Sequence, residues 1–207
     1  MNDILCDADD AMISPPIDGR ARRSQKSRQR IIDAMIELVQ AGVLEPTADQ
    51  VAERAGLAMR TVFRHFTDME SLYREIARRM QSHAQPLLDE PIDGATWQAT
   101  LHKLVDKRAR LYEELLPMRR AADALRHRSP FLQQEDARFA RLARDVLRRT
   151  LPAELAGDPE RFEALDALLS YDMWMRLRRS QRLSASAARR VLHAATASLT
   201  ASPASGP

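Results

Sequence analysis

The stretch from Thr47 to Phe66, TADQVAERAGLAMRTVFRHF, constrains this chain more than any other. Thr47 and Gln50 stand at the T-x-x-Q spacing of a capping box, in which each side chain satisfies a backbone N–H that the start of a helix leaves unpaired. Val51, Ala52 and Ala55 supply a small, apolar face. Gly56 follows at the place where a helix ending in a left-handed residue favours one without a Cβ. The chain therefore turns at 55–57, and a second helix runs from about Ala58 to His65. Val62 and Phe66 point inward at helical spacing, which leaves Arg60, Thr61, Arg64 and His65 around the remaining surface. Two short helices, a tight turn and a basic second helix form a helix-turn-helix, the layout that presents one helix to a DNA groove.

Within this stretch, A-G-L-A-x-R-T-V-F-R-H-F resembles the A-G-V-S-x-x-T-x-Y-x-H-F signature of the TetR/AcrR family of bacterial transcriptional regulators. The match runs without gaps from about Arg28 to Leu72. The resemblance implies an all-α chain: an N-terminal three-helix helix-turn-helix domain, then a C-terminal helical-bundle domain for ligand binding and dimerisation. It also implies a non-enzyme that uses no cofactor and binds a near-palindromic operator as a homodimer, with repression relieved by a small-molecule inducer.

Side-chain chemistry assigns roles at the reading head. Arg60 can pair bidentately with guanine O6 and N7, Thr61 can reach a base edge or a phosphate, and Met59 offers apolar contact. Thr47 places a hydroxyl and a helix N-terminus beside a phosphate. His65 matches the family's phosphate-contacting histidine, and Arg64 faces DNA, solvent or a helix carboxylate. Four positions depart from the family pattern. Ala58 replaces the usual Ser or Thr cap, and Phe63 keeps the aromatic of the interface but lacks the phenolic hydroxyl. Met69 replaces a lysine, and Asp49 replaces a basic residue.

Charge distribution offers compensation. The net charge is only +3, but Arg20, Arg22, Arg23, Lys26, Arg28 and Arg30 form a block without an acid directly before the motif, after a tail rich in aspartate. Arg22, Arg23 and Lys26 are the expected phosphate contacts. Cys6 is the single cysteine, which excludes an internal disulfide and fits a reducing cytoplasm. No signal peptide or run of eighteen apolar residues is apparent, so neither export nor a membrane span is expected.

The expected organisation is a disordered tail over 1–22, a DNA-binding domain over 23–67, a regulatory and dimerisation domain over 68–201, and a frayed end over 202–207. The first helix is expected from Ser24 to Ala41, and a fourth, capped by Thr67 with Glu70, to about His83. Pro117 is expected to break or kink the next helix. One helix is expected from Pro159 through Leu177, and a last one from Ala185 to Leu199. Phe162, Leu165, Leu169, Val191, Leu192 and Ala195 are the candidate dimerisation residues. Trp97, Leu101, Arg108, Tyr112, Phe139 and Trp174 either line a ligand pocket or complete an ordinary core. Arg108 lies on the apolar side of its helix, where it meets an anionic ligand or reaches out to solvent. His102, His127 and His193 lie in separate helices without Cys or clustered carboxylates at metal-ligand spacing, so no metal site is expected. Two other readings remain: a constitutive DNA-binding protein whose second domain only dimerises, and a helical ligand-binding protein or enzyme that has lost its operator.

Overall fold

A computed structural model describes residues 19–201 of the chain; the tail over 1–18 and the end over 202–207 lie outside the described residues. Every regular element within that span is helical. Helix α1 (Gly19–Gln40) starts five residues before the expected Ser24, so residues 19–22 belong to a helix and not to the tail. The run after Gly19 contains no proline or further glycine and is rich in good helix formers, which propagates the helix back to that glycine. Ile31, Ile32, Met35, Leu38 and Val39 are its buried face. They pack with α2 (Ala48–Ala55) and α3 (Met59–His65) through Val51, Ala55, Val62 and Phe66 to form a small core.

Helix α4 (Met69–Asp89) closes this core with Leu72 and Ile76. Its cap is Asp68, not Thr67: Asp68 Oδ1 accepts from Ser71 N at 2.7 Å, and Ser71 Oγ accepts from Asp68 N at 3.4 Å. The carboxylate is the better acceptor for N-terminal amides and displaces the start by one residue. The helix also continues past His83 with Pro86 inside it, in the last turn, where it forgoes the bond that an N–H at this position would donate to Ser82 O.

Helix α5 (Trp97–Leu125) runs through Pro117 as one element, where a break or a kink is expected. An internal proline costs roughly 3 kcal/mol. The segment beyond it is held by burial of Ala121 and Leu125, with Ala121 and Met118 packed against the N-terminal core. A 3-10 turn (Arg126–Arg128) leads to α6 (Pro130–Thr150), where Ser129 caps and Pro130 opens the helix. A single turn, α7 (Ala153–Ala156), precedes α8 (Pro159–Leu168), capped by Asp158.

The helix expected to reach Leu177 stops here. Ser170 recaps the chain, its Oγ accepting from Met173 N at 3.1 Å, and α9 (Tyr171–Met175) begins afresh before a π turn over Arg176–Ser180. Apolar residues spread widely round this segment because two short helices, not one, send them into the same core. Helix α10 (Ala185–Thr200) completes the larger core, which centres on Leu104, Tyr112, Leu147, Leu165, Trp174 and Leu192.

Candidate nucleic-acid interface and adjoining cavity

The reading head begins at a satisfied capping box. Thr47 N donates to Gln50 Oε1 at 2.9 Å, and Gln50 N donates to Thr47 Oγ1 at 3.3 Å. Gly56 takes the left-handed conformation, φ 61°, and closes α2 through Gly56 N to Glu53 O and Leu57 N to Ala52 O, both 3.0 Å. That paired closure redirects the chain into α3. Ala58 caps α3 with backbone geometry alone and no side-chain bond.

Val62 and Phe66 anchor α3 inward, and Arg60 and Arg64 are exposed. So are Met59, at 38%, and Phe63, at 46%, unusual values for large apolar side chains. Thr47 is exposed and Thr61 is half-buried on the same head. His65 is half-buried, and its Nε2 is enclosed without a partner, so a contact through that nitrogen requires the ring to turn. Burial, followed by the charges of Arg64 and Arg28, pushes its pKa below the usual histidine value. The ring is therefore neutral at pH 7.

The basic block divides into two kinds of residue. Arg22, Arg23 and Lys26 are exposed on the first turns of α1. Arg28 instead pairs with Glu75 at 2.9 Å and lies 5.0 Å from the Phe66 ring centroid, joining α1 to α4 and to the end of α3. Arg30 donates to the carbonyls of Ala55 and Gly56, binding α1 to the turn of the reading head. These two arginines serve the fold, a role that a run of like charges does not reveal in sequence.

A family model described as bacterial regulatory proteins of the tetR family matches residues 31–76, the segment that builds this head. That segment is a TetR-family DNA-binding head. Over 90 residues, 42% of its length, the chain is 36% identical to two proteins of Pseudomonas putida, the HTH-type transcriptional regulator SrpR and the uncharacterized HTH-type transcriptional regulator TtgW. Those matches span 41% and 66% of the two relatives. Among solved structures, a candidate transcriptional regulator from Streptomyces coelicolor A3(2) superposes with a TM-score of 0.61 at 23% identity, over 86% of this chain and 99% of that one. A transcriptional regulator from Rhodococcus sp. RHA1 gives 0.58 at 17% identity, over 85% and 95%. At these identities the likeness is one of fold, and it extends through the C-terminal helices.

Behind the TetR-family head, the helices line a partly open cavity of about 330 Å³. Met35 and Val39 of α1 form one wall, with Tyr73, Ile76 and Met80 of α4 beside them and residues of α5 and α6 opposite. Arg108, Tyr112 and Phe139 line it. Trp97, Leu101 and Trp174 do not: Trp97 and Leu101 pack in the larger core, and Trp174 is fully buried, donating from Nε1 to Glu113 Oε1 at 2.9 Å. Arg108 is only 5% exposed; its Nη1 donates to Leu169 O at 3.0 Å and its Nη2 to Ala143 O. Tyr112 donates to the same Leu169 carbonyl at 2.9 Å. Burial drives the Tyr112 pKa upward despite the opposing charges of Arg108 and Arg119. Sequence reasoning missed Arg119, whose guanidinium lies 4.7 Å from the Phe139 ring centroid and 4.8 Å from that of Tyr171.

Most of the candidate dimerisation residues face inward. Phe162, Leu165, Leu169 and Leu192 are buried in the protomer's own core, and only Val191, exposed, and Ala195, half-buried, stand at the surface. The expectation about histidines also needs correction. His102 and His193 stack with centroids 3.7 Å apart and converge on Asp106, which lies 2.8 Å from His193 Nε2 and 3.7 Å from His102 Nδ1. The three offer ligand atoms within 4.8 Å of one another, and Arg189 reaches the same carboxylate at 3.6 Å. The i, i+4 spacing of His102 and Asp106 is visible in sequence. The approach of His193 is tertiary and is not.

Proposed function

We propose that this protein is a ligand-released transcriptional repressor, which binds a near-palindromic operator as a homodimer through Arg60, Thr61 and the surrounding α3 surface. The observation that carries this reading is the position of the cavity. A molecule held there touches Met35 and Val39 of α1 and Tyr73 and Ile76 of α4, the two helices that frame the reading head. It favours the protomer geometry that accommodates it, and DNA favours the geometry that spaces two heads for successive grooves; the difference in affinity is the coupling. Two-fold pairing brings a second short reading helix to the DNA, which one α3 of this length needs for useful specificity. The surface left for pairing on α8 and α10 includes Ala167, Val191, Ala194 and Ser198, all exposed.

Selection of bound duplexes from a random library, with wild type and Arg60→Ala side by side at one salt concentration, tests the reading. The expected result is a two-fold-related consensus whose strongest positions weaken in the variant by about 1–3 kcal/mol. Release of that operator by a compound that binds the protein saturably completes the test. A consensus that no bound compound disturbs would instead identify a constitutive DNA-binding protein.

A further inference from the structure

We propose that the cavity binds an apolar carboxylate, with the acid group directed at Arg108. This rests on the reading that the cavity receives the regulatory ligand, and it names that ligand's class. The walls supply the apolar part through Leu104, Leu111, Leu115, Met118, Leu142 and Val146.

The charged lining does not balance. Lys107, Arg108, Arg119, Arg126 and Arg138 face the cavity against only Asp123, Glu135 and Asp136. Those carboxylates are already taken: Arg119 pairs with Asp136 at 2.6 Å, Arg126 with Asp123 at 2.8 Å and also with Asp136, and Arg138 with Glu135 at 2.8 Å. Lys107 meets only the carbonyls of Leu88 and Glu90, both at 2.6 Å, and Arg108 only those of Leu169 and Ala143. Neither has a carboxylate within ion-pair distance among the described residues.

For Lys107, half-buried, solvent makes this cheap. For Arg108 it does not, because a guanidinium cannot shed its proton and a buried charge is costly unless it is paired. Its two carbonyl bonds account for it as a strap between α6 and the end of α8, but they leave the charge unanswered. A second group is also incomplete: the Nε of Arg119 is buried without an acceptor. Arg119 lines the same cavity. A carboxylate provides both the missing charge and acceptor oxygens that fit a guanidinium fork. A neutral apolar ligand provides neither.

Calorimetric titration of the full-length protein with octanoate, 1-octanol and octylamine, and with 2-naphthoate and 2-naphthalenemethanol, tests the assignment. At least one carboxylate is expected to bind saturably and at least tenfold more tightly than its matched alcohol, with no saturable binding of octylamine. Arg108→Met should reduce that preference to less than twofold, and Arg108→Lys, which keeps the charge, should retain most of it. The wild-type comparison stands even where Arg108→Met fails to fold. Alcohols that bind as tightly as the acids, or no saturable binding by either carboxylate, would overturn the anion assignment. Failure of ligand-controlled release reads differently: a carboxylate binds, and operator affinity does not change.

Discussion

Glu113 shows how much one side chain can hold together in the C-terminal core. It accepts from Trp174 Nε1 and, at both oxygens, from Arg178 at 2.6 and 3.0 Å, joining α5 to α9 and the π turn. The Arg178 hydrogen bond, helped by Trp174 and opposed by burial, holds its carboxyl below the usual range. A depressed folded-state pKa stabilises the protein above the unfolded value of about 4.3, and that contribution disappears as pH falls through the folded value. Urea unfolding at pH 7 should therefore find Glu113→Gln less stable than wild type, with the gap narrowing as pH falls below the unfolded value. A gap that is constant with pH would mean that the charge contributes nothing. Asp68 makes a second residue-level case. Asp68→Ala should cost about 1 kcal/mol, the usual value of an N-cap. Thr67→Ala should be near neutral, and equilibrium unfolding of the two variants distinguishes the cap observed from the one read in the sequence.

At the level of elements, the sequence is most informative where side chain and backbone settle a local question. The Thr47–Gln50 box, the left-handed Gly56 and the uncapped Ala58 are readable because each depends on residues within one turn. The unbroken passage through Pro117 is not, since the packing that holds the far segment of α5 involves residues of the N-terminal core. The same limit explains α8 and α9: Ser170 caps as any serine can, but the core on both sides decides that it does so. It also explains why Phe162, Leu165 and Leu192 look like an interface in the sequence and lie in the core of the protomer. A broad apolar face records burial, not which chain does the burying. The remaining surface of α10 makes a sharper prediction. On the proposed two-fold pairing, Val191→Arg with Ala194→Arg places charge on exposed positions, so the protomer should keep its fold and the sedimentation coefficient should fall to that of a monomer. A species of unchanged mass would place the partner surface elsewhere.

For the whole molecule, the basic segment and the reading head should act as one electrostatic surface. Replacing Arg22, Arg23 and Lys26 by Gln should make the slope of log affinity against log salt shallower by roughly 0.9 for each phosphate that is no longer neutralised. Arg60→Ala should instead alter which sequence is preferred, and affinities measured at several salt concentrations separate the two effects. Helix α1 joins them. Its C-terminal part, at Met35, is a wall of the cavity, and Arg23, near its start, lies twelve residues away, about 18 Å along the axis at 1.5 Å per residue. A rigid rod of that length works as a lever: a tilt of about 5° at the cavity displaces the far end by about 1.6 Å, more than the spread of lengths over which a hydrogen bond holds. Because Arg30 ties the same rod to the carbonyls of the turn, the reading head would travel with it. A displacement at the cavity too small to disturb the core would then be large enough at the phosphates to part the protein from its DNA.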